Sequence, residues 1–293
     1  MKKILITAAN SFVGNAVKKH LENSPERYAV TAISLRDGSW RERDLSGFDC
    51  VYHVAGLAHS DIGKLTEKEK ALYYAVNTDL TEQVALKAKA EGVGQFIFMS
   101  SAIVYGDSAP IGREKLIDRH TPCAPVNCYG DSKLQAERRL LPLADARFRV
   151  VILRCPMIYG RGGKGNFPVL EKLALKLPLF PKVENRRSML YVGNLAEFVR
   201  LMIDNEESGV FWPCNREWSN TSELVRLIAA CHGKKVCLVP GFTWALKALS
   251  HLTGYVNKAF GNLAYAERLG DYSEDYRLYS LEESIMETER SCP

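Results

Sequence analysis

Short apolar runs rich in β-branched residues alternate with longer stretches of helical period through the first two-thirds of the chain. Residues 4–7, 29–35, 50–54, 96–99 and 150–153 predict strands, most of them apolar enough to be covered on both faces. Residues 13–21, 72–90 and 132–141 carry apolar positions at helical spacing. Such alternation implies right-handed βαβ crossovers and an α/β fold built on a doubly wound parallel sheet. Ligands of these sheets bind at the carboxyl ends of the strands.

After about residue 155 the texture changes. Gly160, Gly162, Gly163 and Gly165 crowd a loop, and Pro178, Pro181, Pro213 and Pro240 punctuate shorter elements. The pattern predicts a first domain over residues 1–155, to which 186–212 return, and a smaller lobe made of 156–185 and 213–293. Segment 242–252 (FTWALKALSHL) is amphipathic, and packing against the smaller lobe is the expected use of its apolar face ahead of a membrane contact.

Composition narrows the class. The 293 residues are 46% hydrophobic and 25% charged, as in ordinary globular proteins, and no apolar run approaches the roughly 18 residues of a membrane span. A net charge of +5 without a Lys/Arg block argues against nucleic acid and suits an anionic small substrate. The opening MKKILITAANSF has no signal-peptide run, so a reducing cytoplasm is expected. Without a CxxC or zinc-type spacing, most of the eight cysteines are expected to be buried small hydrophobes, and no metal is expected.

The first predicted strand runs through Thr7-Ala8-Ala9-Asn10-Ser11-Phe12-Val13-Gly14 straight into a helix. Free N–H groups and the helix dipole would favour a dinucleotide phosphate there. Against a GxxGxxG turn, Ala8 and Ser11 replace two glycines; Gly14 remains and would let helix and strand pack closely. At the end of the second strand Ser34 stands where an acidic residue would bind ribose, and Arg36 follows two positions on. The pair favours the 2′-phosphate of NADP, with Asp37 leaving NAD open.

Downstream come Ser100-Ser101-Ala102-Ile103-Val104-Tyr105-Gly106 and then Tyr129-Gly130-Asp131-Ser132-Lys133. Tyr129 and Lys133 are one helical turn apart, and Ser101 ends a strand at the ligand edge. Hydride chemistry at a carbinol carbon needs a matched acid/base, and a phenol serves near neutrality if an ammonium favours its anion. Ser101 would hold the reacting oxygen, with Ser100 assisting.

The succession TAxxSFVG, SSAIVYG, YGDSK and LRCPMIYG resembles the extended short-chain dehydrogenase/reductases, specifically their nucleotide-sugar epimerase/dehydratase group. The resemblance implies a Rossmann domain for NADP or NAD, a second lobe for a nucleoside-diphosphate sugar such as a UDP-sugar, and Ser101, Tyr129 and Lys133 as catalytic residues. It implies cofactor contacts from Thr7, Ala8, Asn10, Ser11, Phe12, Val13, Gly14, Asp44, Leu45, Ala55, Gly56, Tyr129, Lys133 and Pro156, and a structural role for Asn77. On the substrate side it implies Ser100, Asn166, Arg187 and Asn262, an arginine's fork suiting a diphosphate. The helices over 72–90 and 129–141 resemble the pair through which related enzymes form homodimers. Met157 and Gly193 replace an asparagine and an aspartate of the family pattern, and Ala102-Ile103 replace the acid pair that dehydration needs. The expected activity is NAD(P)-dependent oxidoreduction at C4 of a nucleotide sugar, best a 4-keto-6-deoxy-sugar reductase serving surface polysaccharide. The alternatives are a UDP-glucose or UDP-GlcNAc 4-epimerase, and a cofactor-binding sensor without catalysis.

Overall fold

A computed structural model describes residues 1–58, 65–252 and 254–290. In chain order the elements are β1 (Lys2–Thr7), α1 (Phe12–Glu22), β2 (Tyr28–Ile33), β3 (Cys50–His53), α2 (Glu67–Tyr74), α3 (Leu80–Ala90), β4 (Gln95–Ser101), β5 (Leu116–Ile117), α4 (Cys128–Leu140) and β6 (Arg149–Cys155). There follow β7 (Met157–Tyr159), α5 (Phe167–Lys176), β8 (Leu179–Pro181), β9 (Met189–Tyr191), α6 (Val192–Asp204), β10 (Gly209–Phe211) and α7 (Thr221–Cys231). The chain ends with β11 (Cys237–Val239), α8 (Thr243–Leu252), α9 (Gly254–Phe260), β12 (Ala264–Tyr265) and α10 (Leu281–Glu289).

Two compact units emerge. The first holds residues 1–106, 122–155 and 195–213 around a six-stranded parallel sheet of order β10-β6-β4-β3-β1-β2. Strand order reverses at β1, which pairs with β2 on one side and β3 on the other, so the crevice past β1 and β3 is the switch point where such sheets take ligands. The alternate residues Leu5, Val51, Phe96, Phe98, Val150 and Ile152 bury one sheet face against Val84, Ala85 and Ala88 of α3 and Ala136 and Leu140 of α4. Removing that much apolar surface from water is what sets α4, with Tyr129 and Lys133, against the sheet.

The second unit comprises residues 107–121, 156–194 and 214–290, held by three two-stranded parallel pairings, β5 with β12, β7 with β9, and β8 with β11. Residues 107–121, expected in the first domain, group here because Leu116 and Ile117 pair with Ala264 and Tyr265. Residues 186–194, expected to return to the sheet, stay here because β9 pairs with β7; the return begins at Leu195 and delivers β10 to β6.

Three further expectations are corrected. The helix foreseen over 72–90 begins at Glu67 under a Thr66/Glu69 capping box and is broken by a π turn over Ala75–Asp79. Of the seven cysteines among the described residues, only Cys50, Cys155 and Cys214 are buried; Cys292 lies outside them. In segment 242–252 Phe242, Trp244 and Leu249 stand exposed instead of packing against the smaller lobe.

Candidate active site

At the switch point β1 passes into α1 through a turn in which Ala8 takes the left-handed conformation, φ 64°. The Ser11 N–H donates to the Ala8 carbonyl at 2.9 Å, and the Ser11 hydroxyl oxygen caps α1 by accepting from the Gly14 N–H at 3.1 Å. That bond uses a lone pair and leaves the hydroxyl proton free to donate. A Cβ on Gly14 would come within 3.2 Å of Val54 and 3.3 Å of Ile6, so glycine is what lets α1 start this close to the sheet. The helix N-terminus that results is a suitable seat for a phosphate.

Thr7, expected to touch a cofactor, is fully buried and does something else. Its hydroxyl oxygen accepts from the Val54 and Ala55 N–H groups, both at 3.1 Å, and so pins the turn that follows β3. With both lone pairs occupied, its proton goes to His53 Nδ1 at 3.2 Å, which leaves His53 to donate from Nε2 to Thr81 at 3.0 Å. Burial, with Lys133 adding repulsion, lowers His53 to about 3, so the imidazole stays neutral.

The same turn is held from the other side by Asn77, which the π turn carries inward. Its carbonyl accepts from the Leu57 N–H at 2.7 Å, and its amide donates to the Leu57 carbonyl and to the Ser132 hydroxyl, each at 3.1 Å. Gly56 sits between: a Cβ there would lie 3.0 Å from Asn77 Oδ1 and 3.2 Å from Lys133 Nζ. Ala55-Gly56, Asn77 and Lys133 are therefore one packed cluster.

Lys133 and Tyr129 project from α4 one turn apart, and Ser101 ends β4. The Lys133 ammonium donates to the Met99 carbonyl at 2.8 Å and lies 4.6 Å from the Phe98 ring centre. Burial lowers it to about 8, so at pH 7 it is charged. The Tyr129 phenol is pushed up to about 12 by burial, against a lowering hydrogen bond from the Ser101 hydroxyl. The expected lowering of Tyr129 by Lys133 is thus absent here: desolvation wins, and the phenol stays protonated at neutral pH.

Other expected residues sit elsewhere. The Ser100 side chain is buried and donates to Glu137, whose carboxylate pairs with Arg154 at 2.6 Å, so a structural ion pair, not a substrate, holds this hydroxyl. Arg154 in turn donates to the Tyr105 hydroxyl at 2.7 Å, as does the Trp212 indole at 2.7 Å. Nothing in the sequence paired Glu137 with Arg154. Asp44 lines a depression of about 350 Å³ with Lys3, Ala29, Thr31, Gly47 and Phe48, at the amino ends of the strands. Leu45 is buried, its N–H bound by Glu91 at 2.6 Å. Neither residue is at the carboxyl edge where a nucleotide would lie, because only four residues separate Leu45 from β3 and the chain is already starting that strand.

At the end of β2 the Ser34 hydroxyl accepts from the Arg36 N–H at 3.2 Å, and the exposed Arg36 guanidinium takes no partner among the described residues. The Asp37 carboxylate is engaged by the Ser39 N–H and hydroxyl. Asn10 is exposed, Phe12 and Val13 are half-buried in the first turn of α1, and Pro156 is buried immediately after β6.

Within the second unit Arg187 and Asn262 come together. The Arg187 guanidinium donates to the Ala259 and Gly261 carbonyls at 3.3 and 3.4 Å, and burial lowers it to about 10, still charged at pH 7. The Asn262 side-chain carbonyl accepts from the Arg186 N–H at 2.6 Å, so it shapes this turn. Asn166 is exposed at the N-terminus of α5. At Gly193 a Cβ would fall 2.5 Å from the Tyr191 ring, which accounts for the absence of an aspartate there. Among the described residues no group of three His, Cys, Asp or Glu side chains could hold a metal ion.

Residues 4–211 match the model of the NAD dependent epimerase/dehydratase family. The chain is 32% identical over 275 residues to a UDP-glucose 4-epimerase of Vibrio cholerae, covering 86% of this chain and 83% of that protein. It is 29% identical over 252 residues to an N-acetyl-α-D-glucosaminyl-diphospho-ditrans,octacis-undecaprenol 4-epimerase of Escherichia coli O157:H7, covering 80% and 73%. In fold it is similar to a UDP-glucuronic acid 4-epimerase from Bacillus cereus in complex with NAD, with TM-score 0.72, 18% identity and coverage of 97% and 96%. It is likewise similar to a dTDP-4-dehydrorhamnose reductase from Bacillus anthracis in complex with NADP, with TM-score 0.64, 22% identity and coverage of 82% and 84%.

Proposed function

The chain belongs to the NAD-dependent epimerase/dehydratase family, and from that premise we propose that it is a reductase of a 4-keto nucleoside-diphosphate sugar. The observation that carries the reading is the hydrogen-bonded Ser101–Tyr129 pair, one helical turn from the buried ammonium of Lys133.

The residues present fit a dinucleotide. Gly14 opens the helix N-terminus for a phosphate, and Gly56 leaves room above Asn77 and Lys133 that a Cβ would fill. Residues 8–14 would hold the pyrophosphate and Ser34 with Arg36 the adenosine ribose. When bound, the nicotinamide supplies or receives the hydride. The protein's own part is proton transfer and alignment. Tyr129, protonated at neutral pH, is set to donate to an alkoxide developing at C4, and Ser101 holds that oxygen in line. Lys133, still charged below about pH 8 and packed against Gly56, would contribute its ammonium to the dinucleotide site. Arg187 is suited to a sugar-linked diphosphate.

The exposed Arg36, where an acidic side chain would prefer NAD, supports NADP and with it the reductive direction. A second reading, a UDP-sugar 4-epimerase using the same three residues with retained NAD, is favoured by the identity to the Vibrio cholerae enzyme. Releasing the cofactor from purified protein by denaturation separates them. Protein that arrives free of dinucleotide and consumes NADPH with a 4-keto-6-deoxy UDP-sugar supports the reductase. Stoichiometric NAD, with UDP-sugar epimerised and no net NADPH loss, supports the epimerase.

A further inference from the structure

Past the end of β2 the chain winds into a fixed loop before it reaches β3. The Ala9 N–H donates to the Ile33 carbonyl at 3.0 Å, which ties the start of this loop to the turn ahead of α1. Asp37 accepts from the Ser39 N–H at 3.1 Å and from its hydroxyl at 2.8 Å, and Gly38 takes the left-handed conformation at φ 78°. A short helical turn over Ser39–Arg41 follows, in which the Arg41 N–H donates to the Gly38 carbonyl at 3.1 Å. Trp40, 4% exposed, anchors this turn in the core cluster that includes Leu35, Leu45 and Val84.

Arg41 folds back over that loop. Its guanidinium carbon lies 4.7 Å from the Trp40 ring centre, and Nη2 donates to the Gln83 side-chain carbonyl of α3 at 3.0 Å. Nη1 packs against Gly38 so closely that a Cβ there would stand 3.3 Å away. Gln83 takes one of five N–H donors, and neither Arg41 nor Arg36 has a carboxylate partner among the described residues. The two arginines differ in one respect: Arg36 is exposed and held by nothing, whereas Arg41 is already ordered by a ring, an amide and a glycine.

A planar fork with uncommitted donors and no balancing acid suits a phosphate monoester, and one ordered in advance loses less side-chain freedom on binding. The fork is packed on Gly38, two residues past Arg36, in the loop that follows β2, where sheets of this order meet the adenosine ribose. We propose that Arg41 is a second specificity-determining residue for the dinucleotide, binding the 2′-phosphate of NADP together with Arg36, and that Gln83 holds it ready. The proposal rests on the NADP reading above, and Arg41 is a residue that the pattern at the strand end does not single out.

Titration calorimetry of the full chain reads this without turnover. The ligands are NADP and NAD, with 2′,5′-ADP and 5′-AMP as fragments that differ only by the phosphate in question. Arg41→Ala should weaken NADP and 2′,5′-ADP at least about tenfold and leave NAD and 5′-AMP within about twofold. Arg41→Lys, which keeps the charge and loses the fork, should recover only part of that loss. Gln83→Leu, which frees the guanidinium, should weaken NADP about two- to tenfold and leave NAD unchanged. Both side chains are exposed, so the melting temperatures of the variants should stay near the wild-type value. A wild type that prefers NADP at least about tenfold, with the same preference in Arg41→Ala, overturns the proposal and leaves the NADP reading standing. Equal loss of NADP and NAD in Arg41→Ala also overturns it. A wild type with no preference for NADP overturns both.

Discussion

Replacing Ala8 by glycine should stabilise the protein. Ala8 sits at φ 64°, where a Cβ crowds the following carbonyl at a cost of about 1–2 kcal/mol. The conformation is imposed by its neighbours: the Ser11 N–H is bound to the Ala8 carbonyl, and the Ala9 N–H to the Ile33 carbonyl at 3.0 Å. Glycine removes that strain but gives the unfolded chain more freedom, which offsets about 0.4–1 kcal/mol. The net gain is about 0.5–1 kcal/mol, or a rise in Tm of about 1–3 °C for a protein of this size. Ala8→Val should move the other way by more than about 1 kcal/mol, a β-branched side chain being poorly tolerated there. Urea unfolding and differential scanning calorimetry of the three proteins measure the order. An Ala8→Gly protein that melts below the wild type would refute the argument that the turn is strained.

Arg36→Ala should weaken NADP binding by one to two decades, the loss of a charge-assisted contact worth about 1.5–3 kcal/mol, and leave NAD unchanged; titration calorimetry with both dinucleotides decides. Glu137→Ala leaves the Arg154 guanidinium without its buried carboxylate and should cost about 3–5 kcal/mol in urea unfolding, with no loss at all counting against the pair. Lys133, lowered in the fold from 10.5 to about 8, binds its proton more tightly in the unfolded chain across that window. Its contribution to stability therefore rises as pH goes from about 8 to 10.5, and Lys133→Met should flatten that part of the Tm-against-pH curve.

The sheet was legible because buried parallel strands write themselves as apolar runs, and five of its six strands stand where such runs occur. The sixth, β10, is three residues long and half-buried, too short to signal itself. Tyr129 and Lys133 were legible because one helical turn puts them on one face of α4. Interactions that join distant segments left no local trace. Thr7 reads as a turn residue, yet its hydroxyl is consumed by the β3 turn and His53; Ser100 reads as a site residue, yet the register of β4 aims it at Glu137. Asp44 and Leu45 matched a motif by order, but the short connection to β3 leaves them at the opposite end of the sheet. The π turn that swings Asn77 inward needs no special residue and is invisible in a helical pattern.

The most direct test of the central claim follows a labelled hydride. The protein is incubated with NADPH deuterated at nicotinamide C4 and a 4-keto-6-deoxy UDP-sugar, beside a Tyr129→Phe variant. The account predicts one deuterium at sugar C4 for each NADPH oxidised, and at least about a hundredfold loss of rate in the variant with dinucleotide binding retained. Sugar turned over with no deuterium gained and no NADPH consumed, or a variant that keeps more than about a tenth of the rate, would contradict it.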